Sequence, residues 1–301
     1  VITWPDGFRS GFACFVGRPN AGKSTLTNAL IGQKIAITSS RPQTTRHAIR
    51  GILHRPDAQL VVVDTPGLHK PRTLLGSRLN DVVRETWAEV DVVGFCVPAD
   101  QPVGRGDEFI VNELRSVAGR TPVLGIVTKT DKARPEQIAE RLTQLSELMA
   151  FADIVPCSAK SGDQVGLLAD LLVEKLPEGP PLYPDGELTD EPEETLVAEL
   201  VREAALEGVR DELPHSIAVT VEEMIEREDR DLLDIHATIF VERQSQKGIV
   251  IGRGGERLRR VGTDARRQIE ALLGTKVFLD LHVTVAKDWQ RDPRQLRKLG
   301  F

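Results

Sequence analysis

The stretch GRPNAGKST, residues 17–25, sets Gly17, Gly22, Lys23 and Ser24 in the spacing GxxxxGK[ST]. Glycines at that spacing let backbone N–H groups curl around phosphate oxygens. The lysine reaches the terminal phosphates, and the hydroxyl after it takes one position on Mg²⁺. The apolar run GFACFVG (11–17) reads as a strand and TLTNALIG as a helix, so the positive end of a helix adds to the anion site. Gly17, Arg18, Pro19, Asn20, Ala21, Gly22, Lys23, Ser24 and Thr25 are therefore the candidate phosphate loop. A second stretch, VVVDTPG (61–67), ends a strand on Asp64, whose carboxylate can hold Mg²⁺ through water, while Gly67 can offer an N–H to a γ-phosphate. Asp64, Thr65, Pro66, Gly67 and Leu68 join the phosphate site.

A third stretch addresses the base. TKTD (128–131) follows the strand-like PVLGIVT and places Asp131 where a carboxylate can accept both N1–H and N2–H₂ of guanine. Adenine has no donors on that edge and would strand the carboxylate, a mismatch rejected by about 10⁴-fold in comparable sites. Lys129 can lay its stem over the base, and SAK (158–160) can offer N–H groups to guanine O6. Thr128, Lys129, Thr130, Asp131, Ser158, Ala159 and Lys160 form the candidate guanine site. Taken in this order the motifs select GTP over ATP. An ATP-using kinase is the competing class, but it leaves Asp131 and SAK without a purpose and shows no acceptor module.

The elements that must position these residues alternate between residues 11 and 176. AQLVVVD (58–64), DVVGFCV (91–97), PVLGIVT (122–128) and FADIVPC (151–157) join the first strand as buried strands. RLNDVVRETWAEV, EQIAERLTQLSELM and QVGLLADLLVEKL read as helices between them. That rhythm predicts an α/β fold with a mainly parallel sheet and crossover helices, with ligands at the carboxyl ends of the strands. The run 176–194, with Pro177, Pro180, Pro181, Pro184 and Pro192 among many acids, reads as a stiff linker. The expected division is 1–180 for the nucleotide domain, 181–211 for an acidic linker and connecting helix, and 212–301 for a smaller α+β domain with a basic tail. Beyond the proline-rich run the chain reads as the connecting helix (193–208), strands (215–226 and 232–243), a helix pair around 247–273, and a strand (276–286).

Inside the helix pair lies KGIVIGRGGERLRR (247–260), in which Gly252, Arg253, Gly254 and Gly255 spell GxxG. In the order helix–strand–strand–helix–helix–strand, with basic residues on both sides, this stretch resembles the bacterial-type (type II) KH domain. In that module the glycines let a single-stranded RNA backbone approach, and flanking apolar residues cradle the bases. Lys247, Arg253, Arg257, Arg259 and Arg260 are the candidate phosphate contacts.

The P-loop, DTPG, [NT]KxD and SAK in this order resemble a small GTPase, and GRPNAGKST with RPQTTRH (41–47) resembles its Era-like branch. With ELPHSIAV (212–219), KGIVIGRGG and LLGTKVFLDLHVTVAKDWQRD (272–292), the resemblance to the Era-like family covers nearly the whole chain. It implies GTP hydrolysis with Mg²⁺, a first switch segment at QTTR in which Thr44 or Thr45 completes the Mg²⁺ site, and a role in small (30S) ribosomal subunit assembly. It also implies binding of the 3′ end of small-subunit rRNA and peripheral association with the inner face of the cell membrane; DNA is not an expected partner. Three positions depart from the family pattern. Thr128 stands where Asn braces the P-loop and base, and its hydroxyl is shorter. Leu68 follows DTPG where Ras-type enzymes carry the water-orienting Gln. His282 replaces a Trp in LHVTV. The spelling RPNAGK and the missing Gln motivate Asn20 as a ligand for K⁺ beside the phosphates, a partial substitute for an arginine finger.

Composition narrows the rest. Residues 1–180 carry 21 basic and 20 acidic side chains, 181–240 carry 4 against 18, and 241–301 carry 14 against 7, so only the C-terminal end is set to face a polyanion. Cys14, Cys96 and Cys157 form no CxxC pair, and no HExxH occurs, which argues against a disulfide framework or zinc site. No apolar run reaches the roughly 18 residues of a membrane span, and a cytoplasmic protein is expected. A membrane-associated signalling or cell-cycle switch is the alternative role. It expects a lipid anchor, and RKLGF at the C-terminus is no CaaX motif.

Overall fold

The computed structural model describes residues 4–38, 45–68, 71, 73–117, 119–209, 213–228 and 230–301. They form two compact units. One comprises Val1–Ala36, Thr45–Lys70 and Leu79–Asp190, and the other Ile37–Thr44, Pro71–Arg78 and Glu191–Phe301.

In chain order the elements before the proline-rich run are β1 (Arg9–Val16), α1 (Lys23–Ile31), β2 (Ile49–His54), β3 (Ala58–Asp64), α2 (Leu74–Glu89), β4 (Val92–Pro98), α3 (Arg105–Val117), β5 (Val123–Thr128), α4 (Pro135–Leu148), β6 (Asp153–Pro156) and α5 (Val165–Glu174). The strands form one sheet in the order β2-β3-β1-β4-β5-β6, in which β2 is antiparallel and the rest are parallel. Strands β3 and β4 are buried at every position, as continuous Val-rich runs between two helical layers must be. Phe95, Trp87, Leu114 and Leu145, each about 0–1% exposed, anchor one side of that core. Strand β2 was not expected. Arg50, Gly51 and His54 break its apolar pattern, because it lies at the sheet edge where one face and one side stay polar.

The proline-rich run is not a free spacer over its first half. It returns across the first unit, where the Ser10 N–H donates to Pro177 O (3.1 Å), the Gly179 N–H to Phe8 O (3.0 Å) and the Ile52 N–H to Leu188 O (2.9 Å). Gln59, 2% exposed, accepts from the N–H groups of Leu182 (2.6 Å) and Tyr183 (2.9 Å) and donates to Tyr183 O (2.9 Å). The compact unit therefore runs to Asp190 rather than ending near residue 180.

The second unit contains α6 (Glu193–Leu206), α7 (Leu213–Ser216), β7 (Ala218–Glu226), β8 (Leu233–Val241), α8 (Gln244–Ile251), α9 (Glu256–Leu273), β9 (Val277–Val285) and α10 (Pro293–Lys298). Its sheet runs β7-β8-β9, antiparallel then parallel, which is the expected α+β order. Val197, Val201, Ile235, Ile239, Val261 and Ile269 form its core at about 0–2% exposure. The alternation Val277, Leu279, Leu281, Val283 and Val285 puts the apolar face of β9 on that core and leaves His282 exposed on the other. There the His282 Nε2 lies 3.3 Å from Asp280 Oδ2, so this ring faces solvent and a neighbouring carboxylate instead of packing. The basic tail contains α10. Asp292 caps it by accepting from the Arg294 N–H, and buried Trp289 stacks on Phe301 at 5.7 Å.

Candidate functional site: a phosphate and guanine cleft and a glycine loop

The phosphate loop spans from β1 to α1. Gly17 must be glycine because a Cβ there would lie 2.5 Å from the Cys96 carbonyl oxygen, so the loop passes directly over β4. The first turn of α1 has no acidic residue, which leaves the positive end of its dipole open to an anion. Lys23, 7% exposed, donates its ammonium to Gly17 O (3.2 Å) and Arg18 O (3.0 Å), and burial holds it below the usual lysine range. A Cβ built on Gly67 would stand 3.5 Å from Lys23 Nζ, so the DTPG turn meets the loop where a terminal phosphate belongs. Pro19, Ala21, Gly22 and Thr25 supply the loop's frame, and Thr65 and Leu68, about 1% and 5% exposed, anchor the DTPG turn. Buried as it is, Leu68 offers no polar atom to a water.

Three oxygens converge beside the loop. Ser24 Oγ donates to Asp64 Oδ2 at 2.8 Å, Thr45 Oγ1 donates to the same oxygen at 3.1 Å, and the two hydroxyls are 3.0 Å apart. Two neutral hydroxyls around a buried carboxylate are the hard oxygen donors that Mg²⁺ prefers, so the residues present fit that ion. Of the two switch threonines considered, Thr45 contributes its hydroxyl here. Thr44 lies outside the described residues.

Arg18 was expected at the phosphates, but its side chain turns away. Nε donates to Asp107 Oδ1 (2.9 Å) and Nη2 to Pro102 O (3.1 Å), which braces the loop against the start of α3. Asp107 is completely buried and also accepts from the Gly104 N–H at 2.9 Å. Burial raises its pKa, with that N–H and Arg18 opposing the rise. Sequence reasoning missed Asp107, because nothing in GRGDE marks a partner 89 positions from Arg18.

The guanine cleft is lined by Gly22, Thr25, Leu26, Thr128, Lys129, Asp131, Lys132, Cys157, Ala159 and Lys160. Thr128 is 4% exposed, and its hydroxyl reaches the P-loop, donating to Ala21 O at 2.6 Å. The shorter side chain thus makes the loop-to-loop tie expected of a longer one. Asn20 and Lys129, two of the four non-glycine residues with positive φ among the described residues, face each other, Lys129 Nζ donating to Asn20 O at 2.5 Å. Left-handed backbone at two joined positions of one site is held strain of the kind that fixes a binding geometry. Thr130 opens a single 3₁₀ turn, and Asp131 Oδ1 accepts from Ser158 Oγ at 2.7 Å, which orients the carboxylate. The Cys157 thiol is pushed up to about 12 by burial, and burial likewise raises Cys14 and Cys96, so none of the three is a nucleophile at neutral pH.

In the second unit the glycine loop joins α8 to α9. Gly252, Gly254 and Gly255 all have positive φ, and a Cβ on Gly252 would lie 2.7 Å from Arg257 Cβ. Gly252, Arg253, Glu256, Arg257 and Arg260 line a cleft there. Arg253, Arg259 and Arg260 are exposed and Lys247 is half-buried. Two of the expected phosphate contacts have internal work. Arg257 Nη2 donates to Ala205 O (3.0 Å) and Glu207 O (2.9 Å), and Arg259 Nη2 donates to Gly254 O (3.0 Å). Ile249, 52% exposed on α8 before the loop, was not singled out; an exposed Ile three positions before a GxxG is the signal that marks it.

A family model described as "50S ribosome-binding GTPase" matches residues 12–129, and a KH domain model matches residues 212–290. The GTPase Era of Mycolicibacterium smegmatis is 67% identical over 98% of this chain and 99% of its own length. Among solved structures, an Aquifex aeolicus Era variant bound to GDP and AlF₄⁻ superposes with TM-score 0.92 at 34% identity, covering 97% of this chain and 99% of that one. Era in complex with MgGDPNP and nucleotides 1506–1542 of 16S ribosomal RNA superposes with TM-score 0.92 at 35% identity, over the same shares. The phosphate loop, guanine cleft and glycine loop therefore stand on a P-loop domain and a KH domain of one known kind, and the chain belongs to the Era family of GTPases.

Proposed function

We propose that this GTPase binds the 3′ end of small-subunit rRNA through residues 212–301 and acts in assembly of the 30S subunit, with GTP setting when RNA is held. The observation that carries the reading is the glycine loop itself. Gly252 and Gly254 bring backbone to the surface beside exposed Arg253, Arg260 and Ile249, the mix of close approach, charge and apolar surface that a single strand needs. The solved Era complex holds 16S rRNA nucleotides 1506–1542, which supports the same ligand class here.

In the nucleotide site, Ser24, Thr45 and Asp64 would hold Mg²⁺, which supplies charge neutralisation on the phosphates. The chain's own residues do the rest. Lys23 and the N–H groups of the loop bind the phosphates, Thr128 keeps loop and base site in register, and Asp131, oriented by Ser158, accepts the guanine donors. Asn20 is the candidate K⁺ ligand, and equal turnover in potassium and sodium buffers would remove that assignment. No described helix is long and apolar enough to cross a membrane.

RNA retention tests the reading. The chain loaded with a non-hydrolysable GTP analogue or with GDP is incubated with total RNA, and the recovered RNA is sequenced. Enrichment of the small-subunit 3′ end, lost in an Arg253→Asp, Gly254→Asp double variant, is the expected result. Recovery without sequence preference, or retention unchanged in the double variant, refutes it.

A further inference from the structure

Helix α4 turns an arginine inward on the stripe where hydrocarbon side chains belong. Ile138, Leu142 and Leu145 pack in or against the first unit's core, and Arg141 is 6% exposed among them. Burying a guanidinium is costly unless its N–H groups are met. Nε of Arg141 donates to Gln101 O at 2.7 Å, and Nη1 donates to Gln144 Oε1 at 2.9 Å with Glu140 Oε1 3.0 Å away. Gln144 Oε1 also accepts from the Val103 N–H at 3.4 Å. The arginine and the glutamine therefore grip one short segment, residues 99–104, that leaves the end of β4.

The other side of that segment is tied to the nucleotide site. The Ala99 N–H donates to Thr128 O at 2.8 Å, beside the base loop. Pro102 O accepts from Arg18 Nη2 at 3.1 Å, and the Gly104 N–H donates to Asp107 Oδ2 at 2.9 Å. The other oxygen of Asp107 accepts from Arg18 Nε at 2.9 Å. Gly106 completes the seat, since a Cβ there would stand 2.9 Å from Arg18 Cδ. What this seat fixes is the turn of the phosphate loop. Arg18 O accepts from the Ala21 N–H at 3.2 Å and from Lys23 Nζ at 3.0 Å.

We propose, resting on the reading of residues 17–25 as the phosphate loop, that Arg141 and Gln144 are positioning residues for nucleotide binding. Through residues 99–104 they hold the Arg18 side chain, and through Arg18 they hold the turn 18–21 and the Lys23 ammonium against the phosphates. Neither residue lines the cleft, so neither touches the nucleotide base. The loop grips phosphates that GDP and GTP share. Loosening it therefore weakens both nucleotides alike and raises KM, while the step that follows binding keeps its rate.

The test uses the full chain with Mg²⁺ present. Kd is measured with mant-GDP and with a non-hydrolysable mant-GTP analogue, and GTP turnover is followed at steady state. Arg141→Met keeps the length of the side chain and removes its donors. Kd for both nucleotides is expected to rise by about tenfold, the worth of one hydrogen bond to a buried group, and KM with it. kcat should stay within about twofold. Arg141→Lys, which keeps one donor, recovers part of the loss. Placed on top of Arg18→Ala, Arg141→Met should add no more than about twofold, because the path through Arg18 is already cut. Gln144→Leu moves Kd in the same direction and decides the matter if Arg141→Met folds poorly. Unchanged affinity in a folded Arg141→Met or Gln144→Leu variant, a fall in kcat at unchanged KM, or fully additive losses in the double variant overturns the inference alone. Failure of the unaltered chain to bind mant-GDP overturns the phosphate-loop reading beneath it.

Discussion

Thr128 offers the sharpest test of how the nucleotide site is held. Replacing it with valine keeps its shape and removes one atom's chemistry, the hydroxyl that donates to Ala21 O at 2.6 Å. The residue is 4% exposed, so water cannot take the place of that donor. A methyl of nearly equal size leaves no cavity, and the cost is that of a missing donor at a buried carbonyl, about 1–3 kcal/mol. The bond ties the phosphate loop to the base loop, so its loss raises the population of sites whose halves are out of register. GDP affinity should fall by about 5–150-fold, the same free energy expressed as an equilibrium constant, and thermal stability should fall with it. Thr128→Asn, which can still donate to Ala21 O, should preserve both. Mant-GDP titration and thermal unfolding of the three proteins decide the matter. A valine variant with unchanged affinity and unchanged unfolding would refute the tether, and a loss of guanine-over-adenine preference would show that Thr128 acts on Asp131 instead.

Asp131→Asn should cut GTP affinity by about 10⁴-fold and favour xanthosine nucleotides, whose O2 accepts where guanine donates; competition binding reads both. Arg18→Ala should raise the KM for GTP and lower stability by about 1–3 kcal/mol, less than the 3–5 kcal/mol of a fully buried pair because the Arg18 side chain is 28% exposed. Steady-state kinetics and denaturant unfolding check it. Burial lowers the Lys23 pKa, so the empty site loses that proton at lower pH than an ordinary lysine does. Phosphates restore the charge, so GTP binding should take up a proton between the depressed value and the ordinary lysine range, with affinity falling as pH rises through that window. Calorimetry in buffers of different ionisation enthalpy measures the uptake, and no uptake across the alkaline range would contradict it.

The parts of the site legible in the sequence are those where spacing alone fixes the chemistry. GxxxxGKS, DTPG and TKTD place backbone and side chain together within a few residues, and each ends a strand that its apolar run announces. The parts that were not legible join residues far apart. Arg18 carries the charge of a phosphate ligand, but its direction is set by Asp107 across the sheet. Arg257 sits in a basic run yet serves the carbonyls of a helix 50 residues earlier. Strand β2 escaped notice because an edge strand needs only part of an apolar pattern, and Arg50 and His54 blur it. Helix α10 is stabilised by the Asp292 cap and by Trp289, whose indole N–H donates to Ser216 O at 3.0 Å, a partner that no local reading supplies.

The strap from Pro177 to Leu188 has a consequence for how the chain behaves in a crowd. The strand β2 ends the sheet, and its outer row of backbone groups is a template on which another chain could pair. The Ile52 N–H is already spent on Leu188 O, and the His54 ring meets Glu187 O at 2.6 Å, so the template is occupied from within. Pro177, Pro180, Pro181 and Pro184 have no N–H to offer, so the covering segment cannot itself recruit a further strand. The same prolines that suggest a spacer therefore act as a guard against edge-to-edge aggregation, and a chain cut before residue 177 should fold with a sticky margin that the whole protein does not have.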